Sequence, residues 1–180
     1  IIYFFACSKT NTRVKLKKNV LEGLMMSRFG VLLDIDGVLT DGAVYVDDSG
    51  QETKRILFED INAIFDLKRS GLKVGFITGE DNKFCDYVNN RFSPDFMIRG
   101  CKDKLAAFNK IAVENGLNKA NVCYAGDSKS DIELLQFVEL SFVPSDSSIK
   151  VRNAAKIVLK ASRGNAVIRE LVDSILGYSE

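Results

Sequence analysis

A chain of 180 residues with 46% apolar side chains is long enough for one α/β domain with a full core, and a formal charge of +1 leaves no basic stripe to suit nucleic acid. The absence of histidine excludes His-dependent triads, His-ligated zinc and His proton shuttles. Four scattered cysteines, Cys7, Cys85, Cys101 and Cys123, form no Cys-x-x-Cys pair and read as reduced residues of a cytoplasmic protein.

The first 28 residues stand apart from the rest. Ile1 to Cys7 is apolar but far too short for a bilayer, which needs about 20 residues. The basic cluster Lys9, Arg13, Lys15, Lys17 and Lys18 follows it, the reverse of a secretory signal's order. Residues 1–28 hold six basic residues and one acid, leaving 19 basic against 23 acidic in the remainder. We expect a poorly packed upstream extension or the tail of a preceding domain, with a basic membrane-surface anchor as the alternative.

From Phe29 the chain runs Gly30-Val31-Leu32-Leu33-Asp34-Ile35-Asp36-Gly37-Val38-Leu39-Thr40-Asp41-Gly42. The apolar lead-in reads as a buried strand that ends in two carboxylates one residue apart. Carboxylates are costly to bury unless paired or metal-bound, and the carboxyl ends of parallel strands are where α/β proteins hold ligands. Asp34 and Asp36 should face the same side, with Gly37 letting the backbone turn away. One could attack a phosphorus atom while the other moves a proton. A plain Asp-Gly turn is the competing reading.

Next, Ala43 to Val46, the turn Asp47-Asp48-Ser49-Gly50, and Glu52 to Phe58 read as a β-hairpin at about 43–58. Asp60 reads as the cap of a helix through Ser70 that Gly71 closes. Leu72 to Ile77 is a second apolar run, ending in Thr78-Gly79, which could offer a hydroxyl and backbone N–H groups to a phosphate oxygen or simply turn the chain. Helices fit Asn82 to Arg91, Lys102 to Asn115, Ser130 to Phe137, Asp146 to Asn153 and Asn165 to Leu176. Strands fit Phe96 to Ile98, Leu140 to Phe142 and Ile157 to Leu159.

Within that layout, Lys104 near a helix start opposes the macrodipole, which suits an anionic ligand, although a solvated surface lysine reads the same way. Val122 to Gly126 leads a strand into Asp127, with Asp131 in the first turn of the next helix. Hard oxygen ligands of this kind suit Mg²⁺, and an N-cap aspartate is the alternative for either acid. No stretch is long enough for an inserted cap domain. The expected fold is therefore α/β: a Rossmann-like parallel sheet flanked by helices over 29–180, with a β-hairpin flap and no cap domain.

The order Asp-x-Asp, Thr, Lys, Gly-Asp-x-x-x-Asp resembles the haloacid dehalogenase superfamily of phosphohydrolases over roughly residues 29 to 178. The resemblance implies Asp34 as the nucleophile that forms an aspartyl-phosphate. It implies Asp36 as general acid/base whose backbone carbonyl helps hold Mg²⁺, Thr78 and Lys104 as the phosphate-binding pair, and Asp127 as the acidic metal ligand. Asp131 is similar to the second acid of that motif, in a supporting or ligating role.

Asp-Gly-Val-Leu-Thr-Asp-Gly at 36–42 and the hairpin are similar to one capless branch, the 3-deoxy-D-manno-octulosonate 8-phosphate phosphatases. Arg163-Gly164-Asn165-Ala166-Val167-Ile168-Arg169-Glu170 resembles that branch's Gly-Gly-(Arg/Asn)-Gly-Ala-Val-Arg-Glu tail, which in the family can reach a neighbouring subunit's site within a tetramer. The resemblance thus implies a cytoplasmic homotetramer acting on a small sugar phosphate, with no nucleic-acid or membrane partner. Phosphatases for nine-carbon keto-sugar acid 9-phosphates share the fold, as does a cytidylyltransferase domain with impaired chemistry, so a nine-carbon substrate and a non-catalytic tetramerisation module stay open. Where the branch has a basic residue, Asp and Gly after the hairpin, this chain has Glu59-Asp60-Ile61, and the tail has Ala166 for glycine. Lys54, Arg55 or Arg163 could supply the missing charge.

Overall fold

The computed structural model describes residues 29–177, so the expectation of a poorly packed extension over 1–28 lies outside the described residues. Five apolar segments form the body of a six-stranded parallel sheet: β1 (Gly30–Leu33), β4 (Lys73–Ile77), β5 (Phe96–Ile98), β6 (Val122–Ala125) and β7 (Leu140–Val143). The two-residue β8 (Ile157–Val158) completes it, in the order β5-β4-β1-β6-β7-β8. β1 is central, with Leu33 in register with Phe76 of β4 on one side and Ala125 of β6 on the other.

Both faces are covered, which is why these strands are apolar throughout and do not alternate. Val31, Leu33, Val74, Phe76 and Cys123 point to one face, where they pack with α1 (Phe58–Arg69), α2 (Lys83–Phe92) and the C-terminal α6 (Val167–Leu176). Leu32, Ile77 and Tyr124 point to the other, against α3 (Lys104–Asn115) and α4 (Ile132–Phe137). Gly75 makes room for this layering, since a Cβ there would stand 1.8 Å from the Phe96 ring. Among the described residues no helix is long and apolar enough to cross a membrane.

Most helix starts lie within two residues of their expected positions, and polar caps set two of them. Asn82 accepts the Phe84 and Cys85 amides, and Asp103 accepts the Ala106 amide, so α2 and α3 begin one residue after each. The stretch expected as a helix from Asp146 folds only as α5 (Ile149–Arg152), four residues long. The helix expected from Asn165 begins at Val167 because Ala166 sits at φ 64°, outside the helical region.

Two expectations after the first motif are corrected. The hairpin is shorter than 43–58, with β2 (Tyr45–Val46) paired to β3 (Glu52–Thr53) around a turn that the Asp47 carboxylate holds. Phe58 is the first residue of α1, and Ile56 forms an isolated antiparallel bridge with Thr40. Asp60 does not cap its own helix: Leu57 occupies the N-cap, and Asp60 lies buried in the first turn. Its Oδ1 instead accepts the Arg169 amide at 2.9 Å and so caps α6, whose own N-cap residue Ala166 has no side chain to do so. The local pattern had identified a capping residue but not the helix it caps.

Candidate active site

β1 ends at Leu33; the Asp34 amide still donates to Ala125 O at 2.9 Å, while its side chain turns back so that Oδ1 accepts the Ile35 amide at 2.7 Å. A wide turn over Ile35–Leu39 follows, closed by the Thr40 amide on Ile35 O at 3.0 Å. Gly37 makes this turn possible at φ 86°, and a Cβ there would lie 2.1 Å from Asp127 Oδ2. Position 37 therefore requires glycine both for its backbone and for the carboxylate facing it. The fully buried Thr40 hydroxyl accepts from Gly42 N at 3.2 Å and donates to Asp36 Oδ1 at 3.4 Å.

Parallel pairing brings the ends of β1, β4 and β6 to one edge, where Asp34, Thr78 and Asp127 meet the first residue of α3, Lys104. A cavity of about 260 Å³ is lined by these four together with Asp36 and Arg163. The Thr78 hydroxyl already accepts the Glu80 amide at 3.1 Å, which leaves its own proton for a ligand. Lys104 is not the surface lysine of the competing reading. It is 3% exposed, with Nζ 2.8 Å from Asp34 Oδ2 and 2.6 Å from Asp131 Oδ1.

Asp131, fully buried, organises this edge. Oδ1 takes Lys104 and the Tyr124 hydroxyl, while Oδ2 takes the Asp127 amide at 3.0 Å and both the amide and hydroxyl of Ser128 at 2.7 Å. Burial alone would raise its pKa, but Lys104, Tyr124 and Ser128 hold it below the ordinary carboxylate value. One lysine cannot compensate two acids equally. Asp34 is raised to about 8, chiefly by burial, against the opposing pull of Lys104. Asp127 is raised to about 6, by burial and then by the charge of Asp131. Lys104 itself is pushed up, because Asp34 and Asp131 outweigh the burial that would lower it.

Carboxylate oxygens of Asp34, Asp127 and Asp131 all lie within 4.8 Å of one another. Since Asp131 spends both oxygens on five donors, Asp34 and Asp127 are the acids with capacity left for a hard cation. Hard carboxylate oxygens gathered this closely, with Lys104 as their one buried cation among the described residues, fit a small divalent ion. The Asp36 carboxylate stands outside this cluster, paired to Lys54 Nζ at 2.6 Å and to Thr40.

Tyr124 is a member of this arrangement that the sequence analysis does not name, although a buried phenol needs a polar partner and the acids just downstream are the nearest in sequence. Lys54 and Arg163 are named there only as possible sources of charge. Lys54 is buried, bonded to Asp36 and set 5.3 Å from the Phe84 ring centre, and so is not a solvated hairpin lysine. Arg163 reaches the cavity and Asp127 from its own chain at 3.4 Å. Arg55 remains half exposed and donates to Gly164 O at 3.0 Å, away from the cavity.

Carboxylates, a free hydroxyl proton and a buried lysine at the carboxyl edge of an uncapped Rossmann-like sheet define a hydrolase of phosphoric monoesters. Residues 81–171 match the model of the haloacid dehalogenase-like hydrolases, and the chain belongs to that family. It is 29% identical over 146 residues to the 3-deoxy-D-manno-octulosonate 8-phosphate phosphatase KdsC of Escherichia coli K12, covering 81% of this chain and 78% of that one. The crystal structure of the phosphatase of the same name from Yersinia pestis superposes with a TM-score of 0.82 at 25% identity, over 98% of this chain and 92% of the other. The cobalt-bound form of the Haemophilus influenzae octulosonate 8-phosphate phosphatase gives 0.78 at 27% identity, over 86% and 90%.

Proposed function

We propose that this chain is a Mg²⁺-dependent phosphatase that hydrolyses 3-deoxy-D-manno-octulosonate 8-phosphate through an aspartyl-phosphate on Asp34. The observation that carries the reading is the convergence of Asp34, Asp36, Thr78 and Lys104 on one cavity, with the Asp34 carboxylate held by the lysine at 2.8 Å. The relatives named above bear that substrate in their names, and one is a cobalt-bound form.

In this reading an Asp34 oxygen attacks phosphorus while the bond to the leaving alcohol oxygen breaks. Thr78 donates to a phosphoryl oxygen, and the Lys104 ammonium offsets charge on the others. Asp36, at the open side of the cavity, gives its proton to the leaving alkoxide. The resulting carboxylate then takes a proton from water as that water's oxygen displaces Asp34 from phosphorus. Asp34, Asp127 and the backbone carbonyl of Asp36 would hold Mg²⁺, which supplies charge neutralisation between the anionic ester and the anionic nucleophile.

A nine-carbon keto-sugar acid 9-phosphate is the second reading. It stays open because Glu59, exposed at the start of α1, stands where the octulosonate branch has a cation. The exposed apolar hairpin residues Val44, Tyr45 and Val46 support assembly as a homotetramer, which would close the uncapped site. Free Cys85, Cys101 and Cys123 accord with a reducing cytoplasmic compartment.

Phosphate release with Mg²⁺ from eight- and nine-carbon 3-deoxy keto-acid phosphates tests the proposal, with Asp34→Asn as control. Turnover strongest on the eight-carbon ester and lost in the variant is the expected result. Strongest turnover on a nine-carbon ester would select the second reading. A folded, Mg²⁺-binding protein that releases phosphate from no ester would instead be a structural module.

A further inference from the structure

The cavity contains a cation that the reaction as written does not use. Arg163 lies in the loop before α6, at the position where the tail motif quoted above has its first glycine. Asp146 fixes this residue twice, accepting its backbone N–H at 3.1 Å and its Nε–H at 3.1 Å. With Nε tethered, Nη1 comes to 3.4 Å from Asp127 Oδ2, near the outer limit of a hydrogen bond. The guanidinium can give up so long a contact for a better acceptor, and its fork suits a carboxylate.

Its depth separates it from the phosphate-binding pair. Thr78 and Lys104 form the floor, 1% and 3% exposed, whereas the Arg163 side chain is 37% exposed at the rim. The other charges around the cavity repel an anion or lie buried in their ion pairs, whereas Arg163, though paired to Asp146, is open to solvent. Asp34, Asp36, Glu80 and Asp127 are acidic, Lys104 is shared by Asp34 and Asp131, and Lys54 is bonded to Asp36. A substrate with a second anionic group, away from its phosphoryl, finds its complement at Arg163.

We propose that Arg163 is a specificity-determining residue that binds the carboxylate of an acidic substrate at the mouth of the cavity. The inference rests on the sugar-acid reading above. It assigns that substrate's recognition to a side chain of the same subunit, held out by Asp146.

The test is calorimetric binding, with Mg²⁺, of 6-phosphogluconate and sorbitol 6-phosphate, which differ at the carboxylate, and of the octulosonate 8-phosphate. The Asp34→Asn protein is compared with the same protein carrying Arg163→Ala or Arg163→Lys. Removing the guanidinium should weaken both acids relative to the neutral ester by about 10- to 100-fold, the range that charge-assisted hydrogen bonds carry. Lysine should restore part of that preference. Equal weakening of acid and neutral esters would assign Arg163 to the phosphoryl group and overturn the inference. Unchanged affinities, or no preference for acids before substitution, would also overturn it. Turnover by the protein with Asp34 intact reports separately on the phosphatase reading, so the two can fail independently.

Discussion

Asp131 Oδ1 lies 2.6 Å from Lys104 Nζ, joining the first residue of α3 to the turn after β6 across 27 residues. Both groups are buried, and Asp131 also holds the loop of Asp127 through its second oxygen. Removing Asp131 leaves Lys104 with Asp34 alone and strands the Tyr124 hydroxyl and the Asp127 and Ser128 amides, at a cost of about 3–5 kcal/mol. Asp131→Ala should lose stability of that order in urea unfolding and shift Asp127 out of place, lowering kcat/KM more than tenfold. A loss below about 1 kcal/mol would show that the network is not structurally coupled.

The acid on the other side of Lys104 should behave in the opposite way. Burial raises Asp34 to about 8, so its ionised form is held at a cost in the metal-free protein. Asp34→Asn removes that charge and keeps the shape. Turnover should fall at least about a thousandfold, as expected for loss of the proposed nucleophile. The metal-free unfolding midpoint at pH 8 should stay level or rise. A fall of several degrees would mean that Lys104 gains more from Asp34 than Asp34 loses by burial.

Gly37 offers a steric test of the proposed cation site. Alanine there would adopt a left-handed φ and place its Cβ 2.1 Å from Asp127 Oδ2. Gly50 has nearly the same φ, 81°, but nothing within 4 Å of an added Cβ. Both alanine variants should lose about 1–2 kcal/mol for the backbone. Only Gly37→Ala should weaken Mg²⁺ binding, by tenfold or more in calorimetry. Equal Mg²⁺ affinity in the two variants would remove Asp127 from the cation site.

Stability should also depend on pH through Asp60, which is remote from this edge. Burial raises its carboxyl from near 3.8 to about 6, against the opposing effect of the Arg169 and Ile168 amides, and Oδ2 has no hydrogen-bond partner among the described residues. The folded state therefore favours the protonated form. Asp60's contribution is fully present below about pH 4, is lost as pH rises through 6, and is constant above that. Asp60→Asn keeps an oxygen to cap α6 and does not titrate. Relative to that variant, the unsubstituted protein should lose on the order of 2–3 kcal/mol between pH 4 and pH 7, read by denaturant unfolding at each pH. A difference independent of pH would show that Asp60 is ionised in the fold at no cost.

The residues that lie on strand tips were legible in the chain. Asp34, Thr78 and Asp127 each follow an apolar run, and a parallel sheet sends every such run to the same edge, so their meeting needed no knowledge of side-chain geometry. The short polar breaks also placed every strand of the sheet within a residue or so. Helix limits were less legible because a cap is one hydrogen bond, and its donor need not be local. Asp60 carries the right chemistry for a cap, yet the amide it accepts is 109 residues away.

Apolar runs and backbone turns are short-range properties, so the order of residues alone shows which chemical groups the site could use and which edge of the sheet carries them. How the charges divide depends on the fold: Asp131 satisfied, Asp34 under-compensated, Asp36 paired with Lys54, and Arg163 poised at the rim. Coulomb interaction and desolvation depend on distance in space and on depth below the surface. Residues 36 and 54, or 127 and 163, acquire both only when the chain has folded.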